Sequence, residues 1–287
     1  MNVTTSQGTL LLPQVASSIT LGGRESKVIA TDYSFGSSKL LYTTAQVLFA
    51  GKIGGRDVLY LYGNSTQEHE ASLVFSGIPQ LQAKTSTTNF TPSAKNGTVI
   101  NFLPGIEGLV TVYDSDEQLV LYSDKDTAAT FWSPVIPSTD ATFLHYWQLG
   151  TNSSILVGGP YLVRNASITG SHLALTGDLK TSVRLFVFGP PEISSISWNG
   201  QPVSPDAAFS AKTSSQGVFV GSIEMRSSAS SLTLPKLEGW KFANSLPEID
   251  SNFSDAEWTI ANHTTTNIPY KPFYGDGRIL YGCDYGL

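Results

Sequence analysis

The sequence predicts an all-β chain, and three observations carry that prediction. Runs rich in Val, Ile, Leu, Thr and Tyr at 18–21, 26–33, 39–50 and 56–61 are divided by Gly22-Gly23, Gly36-Ser37 and Gly54-Gly55. This is the pattern of antiparallel strands joined by tight turns. No sustained 3.6-residue period calls for a helix longer than about two turns. Charged residues make up only 14% while Ser and Thr number 64, a balance that suits exposed sheet better than helical surface.

The remaining elements follow in order. Residues 64–70, NSTQEHE, read as a polar turn, 71–75 as a strand and 80–97 as a Thr/Ser/Lys-rich connection. Strands are expected at 98–102 and 108–113, and 119–122 pairs back across the charged turn 114–118 as a hairpin. Trp132, with Pro134 and Pro137, makes 127–137 a crossing segment, since proline interrupts both a helix and a central strand. From Asn152 the texture changes to short strands at 155–157, 161–164, 173–176, 183–188, 193–198, 218–223 and 232–234. About seven short strands in so short a stretch is the count of a small immunoglobulin-like sandwich. Within it SWNGQPV is a hairpin signal, because Asn199-Gly200 favours a type I′ turn. Beyond Trp240 the chain is turn-rich, and 279–285 reads as a strand with nothing after it to pair with.

The totals exclude several function classes. A length of 287 residues suggests two domains, with ample material for a core. A net charge of −6 offers no basic footprint for nucleic acid. No apolar run reaches the roughly 18 residues of a membrane span. Asn-X-Ser/Thr sequons stand at Asn2, Asn64, Asn89, Asn96, Asn152, Asn165, Asn252 and Asn262, an excess over what 12 asparagines predict by chance. They point to N-glycosylation in a secretory pathway. The first residues lack the basic and apolar regions of a secretory signal, so the expectation is that the true N-terminus precedes Met1. The single cysteine, Cys283, is either half of a pair with a partner elsewhere or a small buried side chain.

Candidate chemistry is sparse. His69, His145, His172 and His263 sit in different segments without metal-ligand spacing, so no metal and no cofactor is expected. The local cluster Glu68-His69-Glu70 would place both glutamates on one face of a strand and the histidine on the other, and is read as a solvated turn. No G-x-S-x-G nucleophile elbow and no phosphate loop occurs. Ten Glu and 13 Asp provide carboxylates for glycoside hydrolysis, but none stands in a recognisable constellation. Five scattered tryptophans could stack on sugars, and are read as core and interface anchors.

Several stretches carry a resemblance. They are LPQVASSITLGGRESKVIATDY, LLYTTAQV, RDVLYLYG, QEHE, FWSPVIP, GPYLVRNASITGSHLAL, SISWNGQPV, SLPEIDSNFSDAEWTIANHTTTN and YGCDYG. In this order they resemble the part of fungal secreted β-galactosidases of glycoside hydrolase family 35 that follows the catalytic barrel. The resemblance implies a second, antiparallel β-sandwich domain, lacking its first strands, over 1–152. A small third, immunoglobulin-like domain would cover 153–240, and the start of a jelly-roll fourth domain 241–287. It further implies an extracellular parent enzyme that removes terminal non-reducing β-D-galactosyl residues with retention, using two barrel glutamates. The family's Glu-Asn-Glu active-site segment has no match here, so the resemblance transfers no catalytic residue. The chain is then expected to be a barrel-less portion that packs intramolecularly on a barrel in the full-length protein, as a truncated gene model or a degraded paralogue. The alternative is a stand-alone carbohydrate-binding or adhesion module.

Overall fold

The computed structural model describes residues 1–75, the backbone of 88–93, 97–136, 154–206 and 217–225, with 236, 238–241, 246, 249–254 and 256–257 beyond them. Two compact units divide the chain at Arg226 and Ser227. Strand is the dominant regular structure among the described residues, and the only α-helix among them is the single turn α1, Lys125–Ala128.

The first unit opens with the hairpin β1 (Asn2–Thr5) and β2 (Gly8–Leu11). Then come β3 (Ala30–Phe35), β4 (Ser38–Thr43), β5 (Gln46–Ile53), β6 (Arg56–Gly63) and β7 (His69–Leu73). These are followed by β8 (Thr88–Ser93), β9 (Gly97–Phe102), β10 (Leu109–Asp114) and β11 (Gln118–Asp124). A five-stranded sheet of order β3-β4-β7-β9-β8 faces a four-stranded sheet of order β10-β11-β6-β5. Phe35, Leu40, Leu73, Ile100 and Phe102 of the first sheet meet Leu59, Leu61, Val120 and Tyr122 of the second. The Phe102 and Tyr122 rings stack at 3.9 Å.

After α1 the chain forms β12 (Phe131–Trp132), β13 (Leu156–Gly158), β14 (Leu162–Thr169) and β15 (His172–Asp178). It continues with β16 (Val183–Phe188), β17 (Ser195–Trp198), β18 (Gln201–Pro202) and β19 (Val218–Ile223). Sheets of order β12-β13-β16-β19 and β14-β15-β17-β18 form a second sandwich. Its core holds Ile155, Val157, Leu173, Leu175, Leu185, Val187, Ile196 and Trp198.

The two sandwiches are themselves stacked. Val58, Tyr60, Leu119 and Leu121 leave the outer face of β6 and β11 and pack with Phe131, Leu156 and Phe188. The first unit is therefore four sheets deep. This explains why β6 and β11 read as near-continuous apolar runs: alternate side chains enter different cores, and neither face meets water. The Phe131 ring meets Tyr60 edge-on at 4.9 Å. A Cβ on Gly158 would lie 2.3 Å from the Phe131 ring, so only glycine admits it there. Gly54, at φ +57, turns the β5–β6 hairpin tip against Pro190 and Pro191 as a second tie.

Several expectations change. No strand forms at 18–21, and the expected strand 26–33 is reduced to β3. The expected strand 39–50 breaks at Thr44, where the chain crosses from the five-stranded sheet to its partner. There the Thr43 hydroxyl accepts the Ala45 N–H at 3.0 Å, and Thr44 N–H donates to the Glu70 carbonyl at 2.8 Å. The connection at 80–97 contains β8. Phe131 is buried between the sandwiches. The exposed apolar side chains include Leu11 of β2, Leu21 and Val28 of the segment after it, Tyr33 of β3 and Leu48 of β5. In the second unit, described residues form two turns, Ile249 N–H to Leu246 and Phe253 N–H to Asp250. Strand 232–234, the terminal strand 279–285 and Cys283 lie outside the described residues.

Candidate functional site

Among the described residues, the Glu68-His69-Glu70 triplet sets two buried ionisable side chains, His69 and Glu70, side by side, and it is no solvated turn. His69 and Glu70 open β7, which lies between β4 and β9, and both are fully buried. Alternation along the strand sends His69 inward and the two glutamates outward. His69 Nε2 accepts the Asn64 N–H at 3.1 Å, and the ring presses on Gly63, where a Cβ would lie 2.4 Å away. Burial first, then the charge of Lys27, pushes the imidazole below its ordinary pKa.

On the outer face, Glu70 receives the backbone N–H groups of Gln14, Val15 and Ala16 at 2.7, 2.8 and 2.8 Å. Glu68 receives the Ser17 N–H at 2.8 Å and its hydroxyl at 2.6 Å, and the Asn101 amide at 2.7 Å. The Ser17 hydroxyl, then Asn101, holds the Glu68 carboxyl below its ordinary pKa. Tyr42 donates to the Gln14 side chain at 3.2 Å, and burial, with Glu70 beside it, pushes its phenol well above the ordinary value. Four successive amides of one loop thus converge on two carboxylates, one just before β7 and one within it. Sequence reading found the residues and their facing but missed their burial, because the amides that cover them belong to residues 14–17, far back in the chain. Both carboxylates are saturated with donors and Glu70 has no access to solvent, so the pair cannot flank a glycosidic bond.

The other candidates are similarly occupied. His172 bridges two serines of the parallel neighbour β17, with Nδ1 2.9 Å from Ser195 Oγ and Nε2 3.0 Å from Ser197 Oγ. A nucleophile–base pair of this kind needs donors for an oxyanion. The nearby Ser194 and Ser195 N–H groups both donate to the Ser171 carbonyl instead. A groove beside the β17–β18 hairpin is lined by Asp178, Trp198, Asn199, Gln201 and Glu224. Asp178 is held by Arg164, Asn199 by Gly177 and Glu224 by Ser182. Trp198 is only 4% exposed, so its face is not offered to a sugar. Trp132 donates its indole N–H to the Pro160 carbonyl at 3.2 Å. Asp57 accepts from Ser37 N–H and Ser38 Oγ and pairs with Lys52 at 3.2 Å, which binds together the β3–β4 and β5–β6 turns.

Among the described residues no group of His, Cys, Asp or Glu could hold a metal ion. His145 and His263 lie outside them, as do Trp147 and Trp258. No described helix is long and apolar enough to cross a membrane. Of the sequon asparagines, Asn2, Asn165 and Asn252 are exposed, and Asn64 is half-buried with its Oδ1 accepting from Thr66. Asn89 lies in β8, and Asn96, Asn152 and Asn262 lie outside the described residues.

Comparison with known proteins assigns both sandwiches. The sequence matches the family β-galactosidase, domain 2, over residues 1–132 and β-galactosidase, domain 3, over residues 132–213. It is 36% identical over 289 residues to the probable β-galactosidase C of Aspergillus niger, covering all of this chain and 27% of that protein. It is 33% identical over 289 residues to the probable β-galactosidase B of Penicillium rubens, and 35% over 291 residues to the probable β-galactosidase C of Aspergillus oryzae, with the same coverage. The chain thus spans about a quarter of the length of the relatives it matches. Two adjoining domain matches, together with alignment of the whole chain to these relatives, establish that it belongs to the β-galactosidases of glycoside hydrolase family 35, in the non-catalytic segment that carries their domains 2 and 3.

Proposed function

We propose that this chain is the β-scaffold portion of a secreted β-galactosidase that removes terminal non-reducing β-D-galactosyl residues with retention, and that these 287 residues are inactive alone. The observation that carries this reading is full coverage of the chain by 27% of each relative, within the segment matched as domains 2 and 3. The occupied state of the carboxylates supports it. Retaining hydrolysis needs two carboxyl groups about 5–5.5 Å apart on either side of the sugar, and Glu68 and Glu70 are instead bonded to their own chain. In this reading 1–152 is the second domain, 153–240 the third and 241–287 the opening of the fourth. Exposed Leu11, Leu21, Val28, Tyr33 and Leu48 are candidates for the face that packs on the catalytic barrel.

A chromogenic β-galactoside assay on the purified chain tests the activity claim. The expected result is no turnover above buffer. Turnover that survives purification and disappears on replacing a single carboxylate would reveal an active site within these residues and overturn the proposal. Binding on a glycan array would favour the module reading. Secretion of the parent is part of the same proposal, and the exposed Asn2, Asn165 and Asn252 are the sequons expected to carry glycans. Expressed behind a signal peptide in a fungal host, the chain should shift in gel mobility after endoglycosidase treatment. Unchanged mobility of secreted material would refute glycosylation.

A further inference from the structure

Residues 12–29 contain neither strand nor helix, and they are held to the sheet in an unusual way. A loop normally lies on a sheet through buried apolar side chains or a strand ladder. Here only Leu12 and Ala16 are buried, while 21–26 are exposed throughout. Ile19 and Ile29 add partial contacts to the small cluster around Leu41 and Tyr42. The densest hold is the convergence of the Gln14, Val15, Ala16 and Ser17 amides on Glu70 and Glu68. Farther along, Lys27 donates to the Gln67 side chain at 2.6 Å, Gln67 donates to Glu25 at 3.4 Å, and Gln46 donates to the Val28 carbonyl at 3.3 Å.

We propose that residues 13–29 form an acid-releasable strap, clasped at neutral pH by the paired carboxylates of Glu68 and Glu70 and freed from the five-stranded sheet in acid, when Glu68 takes up a proton. An ionised carboxylate is acceptor-only, with room for every donor aimed at it. A protonated one turns an oxygen into a donor, and at Glu68 that donor would stand among the Ser17 N–H, the Ser17 hydroxyl and the Asn101 amide, all of which donate to the ionised form. Letting the loop go restores water to those amides at the loss of little apolar contact.

The surrounding charges make the response local. Facing the clasp are Tyr42 of β4, neutral across the acid range, Asn101 of β9, and Lys27 and Glu25 of the strap. The sequence of β8 has no titratable residue. The depressed pKa of Glu68 means that its stabilisation is complete above the ordinary carboxylate value near 4.5 and is lost as pH falls through its lower, folded value. His69 responds elsewhere. Its depressed pKa lets the unfolded chain protonate first, so stability falls below about pH 6.5, as a loss to the core rather than to the strap.

Hydrogen–deuterium exchange of the whole 287-residue chain, corrected for intrinsic rates, tests this at about pH 7 and about pH 3.5. Protection of amides 14–17 should drop by about tenfold or more at the lower pH, while β6 and β11 keep theirs. Strap and core losing protection together, or a strap unchanged at the lower pH, would refute the proposal. Glu68→Gln and, separately, Glu70→Gln should mimic release at neutral pH, read as faster tryptic cleavage after Arg24 and Lys27. If Glu70→Gln prevents folding, Glu68→Gln and the pH series decide the matter. Unchanged cleavage in a folded Glu68→Gln variant counts against the clasp.

Discussion

At the scale of single residues, close contacts in this protein are enforced by what glycine leaves out. Gly63 ends β6 under the His69 ring, and a Cβ there would stand 2.4 Å from Cδ2 and Nε2 and 2.6 Å from the Tyr122 hydroxyl. Neither ring can retreat easily, because Tyr122 stacks on Phe102 and His69 Nε2 is bonded to Asn64. Gly63→Ala should therefore destabilise the fold by about 1–3 kcal/mol, the usual range for an overpacked core. A lowered midpoint in denaturant at unchanged slope would show it, and an unchanged midpoint would show that the rings move aside. The substitution also bears on the pairing of His69 with the Asn64 turn, since a displaced ring loses its acceptor position. That turn holds the Asn64 sequon, so its geometry and the histidine's neutrality are linked.

At the scale of elements, legibility in the sequence followed locality. The strands expected at 183–188 and 218–223 form at those bounds as β16 and β19. The Asn199-Gly200 turn forms as read, with both residues at positive φ, 48° and 78°. The returning pair 108–113 and 119–122 forms as β10 and β11. What escaped depends on partners distant in the chain. Residues 18–29 have strand-like composition, yet their neighbours at 14–17 spend their amides on side-chain carboxylates, and no sheet edge accepts 18–29 as a strand. The triplet 68–70 looks polar in isolation, and its glutamates are covered only by the arrival of that loop. Its alternation, glutamates out and histidine in, was readable because it is a local property of the chain entering β7. The split of 39–50 escaped for the opposite reason: nothing in its composition marks Thr44, and the break exists because two facing sheets must share one run.

At the scale of the whole molecule, the two sandwiches of the first unit are tied together through an apolar layer. Phe131 is central to that layer, touching Tyr60 of the first sandwich and Gly158 and Phe186 of the second. Phe131→Ala should cost about 3–5 kcal/mol, as for other large aromatic deletions in cores. Because the lost contacts lie between sandwiches, each retains its own core, and unfolding should separate into two transitions. Calorimetry showing one transition with an unchanged midpoint would contradict this. The burial of Phe131 comes from a sandwich partner rather than from its own two-residue strand. The parallel pairing of β6 with β11 has a consequence for synthesis. Residue 57 must wait for residue 118 before the ladder between them can close. Until then a nascent chain leaving the ribosome carries β6 as an unfinished apolar edge, with Val58, Leu59, Tyr60 and Leu61 lacking the neighbours that β11 will bring. Non-local closure of this kind slows folding, and an open edge invites pairing with other chains. The interval between translating those two strands is therefore when this protein most needs a chaperone.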